Sequence, residues 1–130
     1  MVKRFSRYLP ATITALLILV FTAMPGQAVT SVGLGKESYH INGHFIAYLV
    51  LCLTLFRAFS FIKGAKRLWL SFLVSVIYGI LMEFLQKLVP GRAFQYLDIG
   101  VNSLGSVLAL LLLWKQSFLL PRPLSNWLKK

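Results

Sequence analysis

Four long apolar runs divide the chain, at about residues 9–24, 44–61, 68–89 and 97–114, and polar or basic stretches separate them. Apolar runs of this length read as helices crossing a membrane, which takes ~20 residues. The first run falls just short of that length, and Pro10 lies in its first turn, where proline is tolerated. The pattern predicts an all-α protein, an integral membrane four-helix bundle forming a single domain over residues 1–130. Residues 30–43 are polar and glycine-containing and read as a loop. Residues 63–67 read as a short basic loop, and Pro90-Gly91-Arg92 as a turn. Pro121 and Pro123 end the last helix, and Trp127 to Lys130 form an aromatic-basic end suited to a membrane surface.

Composition strengthens this reading. The chain is 58% hydrophobic and only 13% charged, too apolar for an ordinary soluble domain. A net charge of +11 raises nucleic-acid binding, but the cations form no single stripe or face. They cluster at the ends of the apolar runs, so nucleic acid is excluded as a partner. On one side of the alternating runs lie Lys3, Arg4, Arg7, Arg57, Lys63, Lys66, Arg67, Lys115, Arg122, Lys129 and Lys130; on the other lie Lys36, Lys87 and Arg92. The positive-inside rule then puts both termini in the cytoplasm, and the loops before His44 and after Val89 outside. The single cysteine, Cys52, lies within an apolar run, cannot form an intramolecular disulfide, and reads as packing.

Of three acidic residues, Glu83 and Asp98 lie in or beside apolar runs, where a charge is costly and marks a functional or paired group. At helical spacing Gly79, Glu83 and Gln86 share one face, and Asp98, Asn102, Gly105 and Ser106 share another. By the ~1.5 Å rise per residue, Glu83 lies about 9 Å below the outer end of its helix and Asn102 about 6 Å below. His44, Tyr48, Glu83, Gln86, Arg92, Asp98 and Asn102 thus fall in one outward layer, with nothing comparable in the inner half.

Two readings of that layer compete. As a helix clamp, Glu83 would pair with Arg92 or His44 and Asp98 with Arg92, while Gly79, Gly100 and Gly105 allow close helix approach. As a site, the layer would take an anionic lipid or a lipid-linked glycan. Arg92 offers a bidentate fork for phosphate, with Tyr48, Gln86 and Asn102 as further ligand contacts. His44, Glu83 and Asp98 are the candidates for proton transfer. No nucleophile motif accompanies them, and Ser103 and Ser106 read as packing residues. His40 and His44 are four apart, with Asp98 or Glu83 as oxygen donors, but His40 in a loop breaks the helical spacing and no metal or other cofactor is assigned. Proton-driven exchange through a homo-oligomer is a third class, without the inverted repeats of many transporters.

Taken in order, His44 and Tyr48, Glu83-x-x-Gln86, Pro90-Gly91-Arg92, Phe94 and Asp98-x-x-x-Asn102 resemble the VanZ-like membrane protein family over residues 44–112. The resemblance implies a small prokaryotic membrane protein of the cell envelope and assigns no activity. It also implies a retained first helix, although Gly26-Gln27-Ala28 has the small residues of a signal-peptidase site.

Overall fold

The computed structural model describes residues 5–119, with side chains as far as residue 116. Within these residues the chain is all-helical. Helix α1 spans Leu9–Ala23, α2 Gly26–Ser31, α3 Glu37–Ala58, α4 Ala65–Gln86 and α5 Tyr96–Leu119. Three helices are long and apolar enough to cross a membrane: Glu37–Ala58, Ala65–Gln86 and Tyr96–Gln116. They mark the chain as a membrane protein. At 15 residues, α1 is about 22 Å long and shorter than a ~30 Å hydrocarbon core.

The element boundaries differ from the sequence reading at one consequential place. Residues 30–43 are no continuous loop: α2 covers its start, and α3 begins at Glu37, seven residues before the expected span. Loss of hydropathy reports where a helix leaves the hydrocarbon, not where its backbone hydrogen bonding stops. Glu37 in the first turn of α3 suits the positive end of the helix dipole. Similarly, α4 starts at Ala65, which puts Lys66 and Arg67 on the helix instead of in the loop. The aromatic-basic end lies outside the described residues.

Packing is polar inside and apolar outside. The buried face of α4 consists of Arg67, Ser71, Ser75, Gly79, Glu83 and Gln86, spaced four or three apart. Its exposed face carries Trp69, Leu70, Leu73, Ile77, Leu81 and Phe84. Lipid chains are as apolar as leucine, so burying Leu against Leu gains little there. Small side chains and interhelical hydrogen bonds hold the helices instead. On α5 the inward residues are Asp98, Val101, Asn102, Ser106 and Ala109, with Gly105 among them.

The helix directions follow from the pairs. His40 meets Asp98 and His44 meets Asn102 at the same sequence offset, 58 residues, so α3 and α5 run parallel. Against α5, a step of four up α4 matches a step of four down: Ser75 bonds Ser106 at 2.7 Å, and Gly79 packs on Asn102. Helix α4 is therefore antiparallel to both. Helix α1 rests on α3 and α4, with Ile18 packed among Tyr48 and Leu51 and the Tyr78 hydroxyl donating to the Ala15 carbonyl at 2.6 Å.

The broadest interface, α3 on α5, depends on Gly105. A Cβ there would run into the Phe45 carbonyl and come within 3.1 Å of the Leu49 nitrogen. Gly79 likewise makes room for the Tyr48 ring and Asn102. Gly100, expected to serve the same purpose, is exposed with open space around it. Gly105→Ala is expected to destabilise the protein by roughly 1–3 kcal/mol, as overpacking does, while Gly100→Ala stays near wild type. Thermal unfolding of both variants in detergent checks this; equal stability of the two would remove the close α3–α5 approach.

Candidate functional site

At the end of the bundle where α3 and α5 begin, four elements bring polar side chains together. His40 and His44 occupy successive turns of α3, and their rings meet edge-on with centroids 4.4 Å apart. His40 Nε2 donates to Asp98 Oδ2 at 2.9 Å, and Asp98 stands in the first turn of α5, where the dipole also favours it. His44 Nδ1 donates to Asn102 Oδ1 at 2.8 Å. From α4, Glu83 brings its Oε1 to 3.8 Å from the same His44 nitrogen.

The loop between α4 and α5 closes this end. Gly91 turns the chain with φ of +73°, a conformation that favours glycine, and the Arg92 N–H donates to the Val89 carbonyl. Helix α2 docks on this turn: the Gly26 N–H donates to the Pro90 carbonyl at 3.1 Å, and a Cβ on Gly26 would strike the Gly91 carbonyl. Phe94 packs between Phe84 and Tyr96. These contacts direct Arg92 inward to a half-buried position, while Lys87 remains exposed.

Partners within the cluster match one expected alternative, His44 beside Glu83, and differ elsewhere. Arg92 forms no ion pair with either carboxylate; His40 takes Asp98, and His44 is the near neighbour of Glu83. Many polar groups remain unsatisfied. Glu83 is fully buried, yet neither oxygen accepts a hydrogen bond, and Asp98 Oδ1, Asn102 Nδ2 and Arg92 Nε are likewise buried without a partner. The Gln95 backbone N–H acts on the Glu83 carboxylate without reaching hydrogen-bond geometry. Buried polar atoms are nearly always paired, so several orphans in one place need an explanation such as a missing ligand.

Two cavities meet at the cluster. One, of about 470 Å³, lies between α1 and α3, walled by Leu17, Ile18, Phe21, Ala47 and Tyr48, and reaches His40, His44, Gln86 and Arg92. The other, of about 340 Å³, lies under α2 and the α4–α5 loop and reaches His40, Gln86, Arg92, Gln95 and Asp98. His40, Gln86 and Arg92 line both.

No family model, curated protein or solved structure matches the chain. The chemistry of the site therefore rests on its geometry. All seven residues of the expected layer lie at this end of the bundle, Tyr48 and Gln86 as buried cavity walls. His40 was weighed for its spacing of four from His44 and set aside because its turn was read as loop; that turn belongs to α3. The inner half also carries more than expected: Arg67, Ser71, Ser75 and Ser106 are buried. Arg67 donates from Nε to the Phe56 carbonyl at 2.6 Å and stacks 3.8 Å over the Phe56 ring. The serines are engaged in packing, Ser103 with the Ile99 carbonyl and Ser106 with Ser75 and the Asn102 carbonyl.

The pairing pattern gives a direct expectation. In chelator-treated protein, a double-mutant cycle of His40→Ala and Asp98→Asn should return a coupling of ~0.5–3 kcal/mol. Glu83→Gln should cost less stability than Asp98→Asn, since no hydrogen bond to its carboxylate is lost. Unfolding in graded denaturant measures both; a Glu83→Gln loss as large as that of Asp98→Asn would make this carboxylate a clamp.

Proposed function

We propose that this protein is a multi-pass protein of a prokaryotic cytoplasmic membrane, resembling the VanZ-like family, that binds an anionic lipid or lipid-linked glycan at an outward-facing site. In this reading α1 joins the three longer helices in a four-helix membrane bundle with both termini cytoplasmic. The single observation that carries it is the meeting of an apolar cavity and one of mixed, more polar lining at His40, Gln86 and Arg92. A lipid has the same division: an apolar chain for the space between α1 and α3, and a charged headgroup for the polar mouth. Such cavities fall in the size range of ligand pockets. Arg92 is the headgroup contact, because its inward-held guanidinium has a buried, unpartnered Nε and its planar fork suits phosphate. Binding is the proposal; the serines nearby are engaged in packing and supply no nucleophile.

A second reading keeps the cluster as a helix clamp in a non-enzymatic accessory module. It is favoured by the two contacts that tie α3 to α5, His40–Asp98 and His44–Asn102. It leaves the orphaned atoms of Glu83, Asn102 and Arg92 without a purpose.

Lipid retention distinguishes the two. In native mass spectrometry with phosphatidylglycerol and phosphatidylcholine of equal chain length, the wild type should retain the anionic lipid preferentially. Arg92→Lys should lose that preference, since a point charge does not replace bidentate geometry. Equal retention of both lipids, unchanged by Arg92→Lys, would leave the clamp.

The orientation has its own test. Arg7 bonds Ser60 at 3.2 Å, joining the start of α1 to the end of α3, and Arg57, Lys63, Lys66 and Arg67 belong to that same end. Lys36, Lys87 and Arg92 belong to the other. With Cys52→Ala as background, a cysteine placed at the exposed Gln95 should react with an impermeant thiol reagent on intact cells. Labelling only after permeabilisation reverses the topology.

A further inference from the structure

We infer that His40, His44 and Asp98 form a binding site for a divalent transition-metal ion of the zinc class, with the buried Glu83 carboxylate beside it. One ring nitrogen from each histidine and a carboxylate oxygen of Asp98 lie within 4.8 Å of one another, the one such grouping among the described residues. A zinc centre holds nitrogen and oxygen at ~2.0–2.2 Å, so its ligand atoms stand roughly 3.3–3.5 Å apart. Side-chain rotations of about an ångström reach that arrangement from this one.

The scaffold suits such a centre. Two histidines four apart on one helix face are a recurrent zinc-binding pair, and here the parallel α5 adds a carboxylate level with the first of them. Asn102 Oδ1, 2.8 Å from His44 Nδ1, fixes the orientation of that ring, as an outer partner does for a metal-ligating imidazole.

A separate observation points to a cation. Glu83 is 0% exposed and Asp98 1%, and three of their four carboxylate oxygens have no hydrogen-bond partner. The one nearby guanidinium, on Arg92, forms no ion pair with either residue. With only imidazoles in contact and Arg92 acting at longer range, the two buried carboxylates lack close compensating charge, and burying them so is costly. A divalent ion supplies it. Imidazole donors favour zinc, copper, iron or nickel, while magnesium and calcium prefer an all-oxygen shell. The inference is independent of lipid binding, since all three donors belong to the chain.

The test uses the full-length protein carrying a non-histidine affinity tag, purified in detergent with a chelator and then dialysed against Zn²⁺ without added lipid. One Zn²⁺ per chain is expected, with Mg²⁺ failing to compete. His40→Ala and Asp98→Asn should each abolish stoichiometric binding, and Asn102→Ala should weaken it on the order of 10-fold or more. Co²⁺ in place of Zn²⁺ should give the visible absorption of a low-symmetry site, lost in His40→Ala. Full Zn²⁺ retention in a folded His40→Ala, Asp98→Asn double variant would overturn the inference. A wild-type melting temperature that saturating Zn²⁺ leaves unmoved would overturn it without any variant, because an ion bound only by the folded state must raise it. Lipid preference measured on the same chelated protein reports separately on the headgroup reading.

Discussion

The contact between α3 and α5 at Gly105 governs the rest of the molecule. Because position 105 has no side chain, the α3 backbone can lie against α5 at Phe45 and Leu49. Running parallel at that distance, the helices keep one register, so two residues four apart on α3 meet two residues four apart on α5. His40 faces Asp98 and His44 faces Asn102 for the same reason. A one-residue slip of either helix would rotate these groups by about 100° and put charge into lipid.

Helix α4 enters this pair from the opposite direction with a face that is small or polar throughout. The inversion has a physical cause. Between helices in a bilayer, apolar burial offers little, and what remains is close packing and hydrogen bonds between groups that hydrocarbon cannot satisfy. Ser75 with Ser106 shows the economical form of that bond. Glu83, on the same face, differs: it brings a carboxylate into the seam and finds no donor for it. Serine contacts of this kind would suffice to hold the helices. The orphaned polar atoms at one end are what a seam alone leaves unexplained.

The two functional readings draw on different atoms of one cluster. Arg92 faces the cavities from the loop, where its position depends on α2 docking against the Pro90–Gly91 turn. The histidines and carboxylates face one another between the helices. A phosphate would be recognised by the first group and a divalent ion by the second, which segregates cation and anion chemistry within a few residues. His40 belongs to both, lining each cavity while bonded to Asp98.

Much of this was legible in the residues alone. Apolar run length gave the three longer helices, and spacing of three and four gave the inward faces of α4 and α5, including Glu83, Gln86, Asp98 and Asn102. Both signals are local, and a helix converts them to a face by its own geometry. Hydropathy misplaced the start of α3, because it reports solvent depth while the helix continues through polar residues; the His40–His44 pair was set aside for that reason. The same spacing rule already ran from Glu83 back through Gly79, Ser75 and Ser71 to Arg67, but a basic residue beside a loop reads as exposed until the helix it stacks on is known. Which partner each charge takes is not local. Arg92 looked like the counter-ion of Glu83 and Asp98 by proximity along the chain, yet the parallel pairing of α3 with α5 gives Asp98 to a histidine 58 residues away. That choice was made by the α3–α5 packing distance, which only the tertiary structure sets.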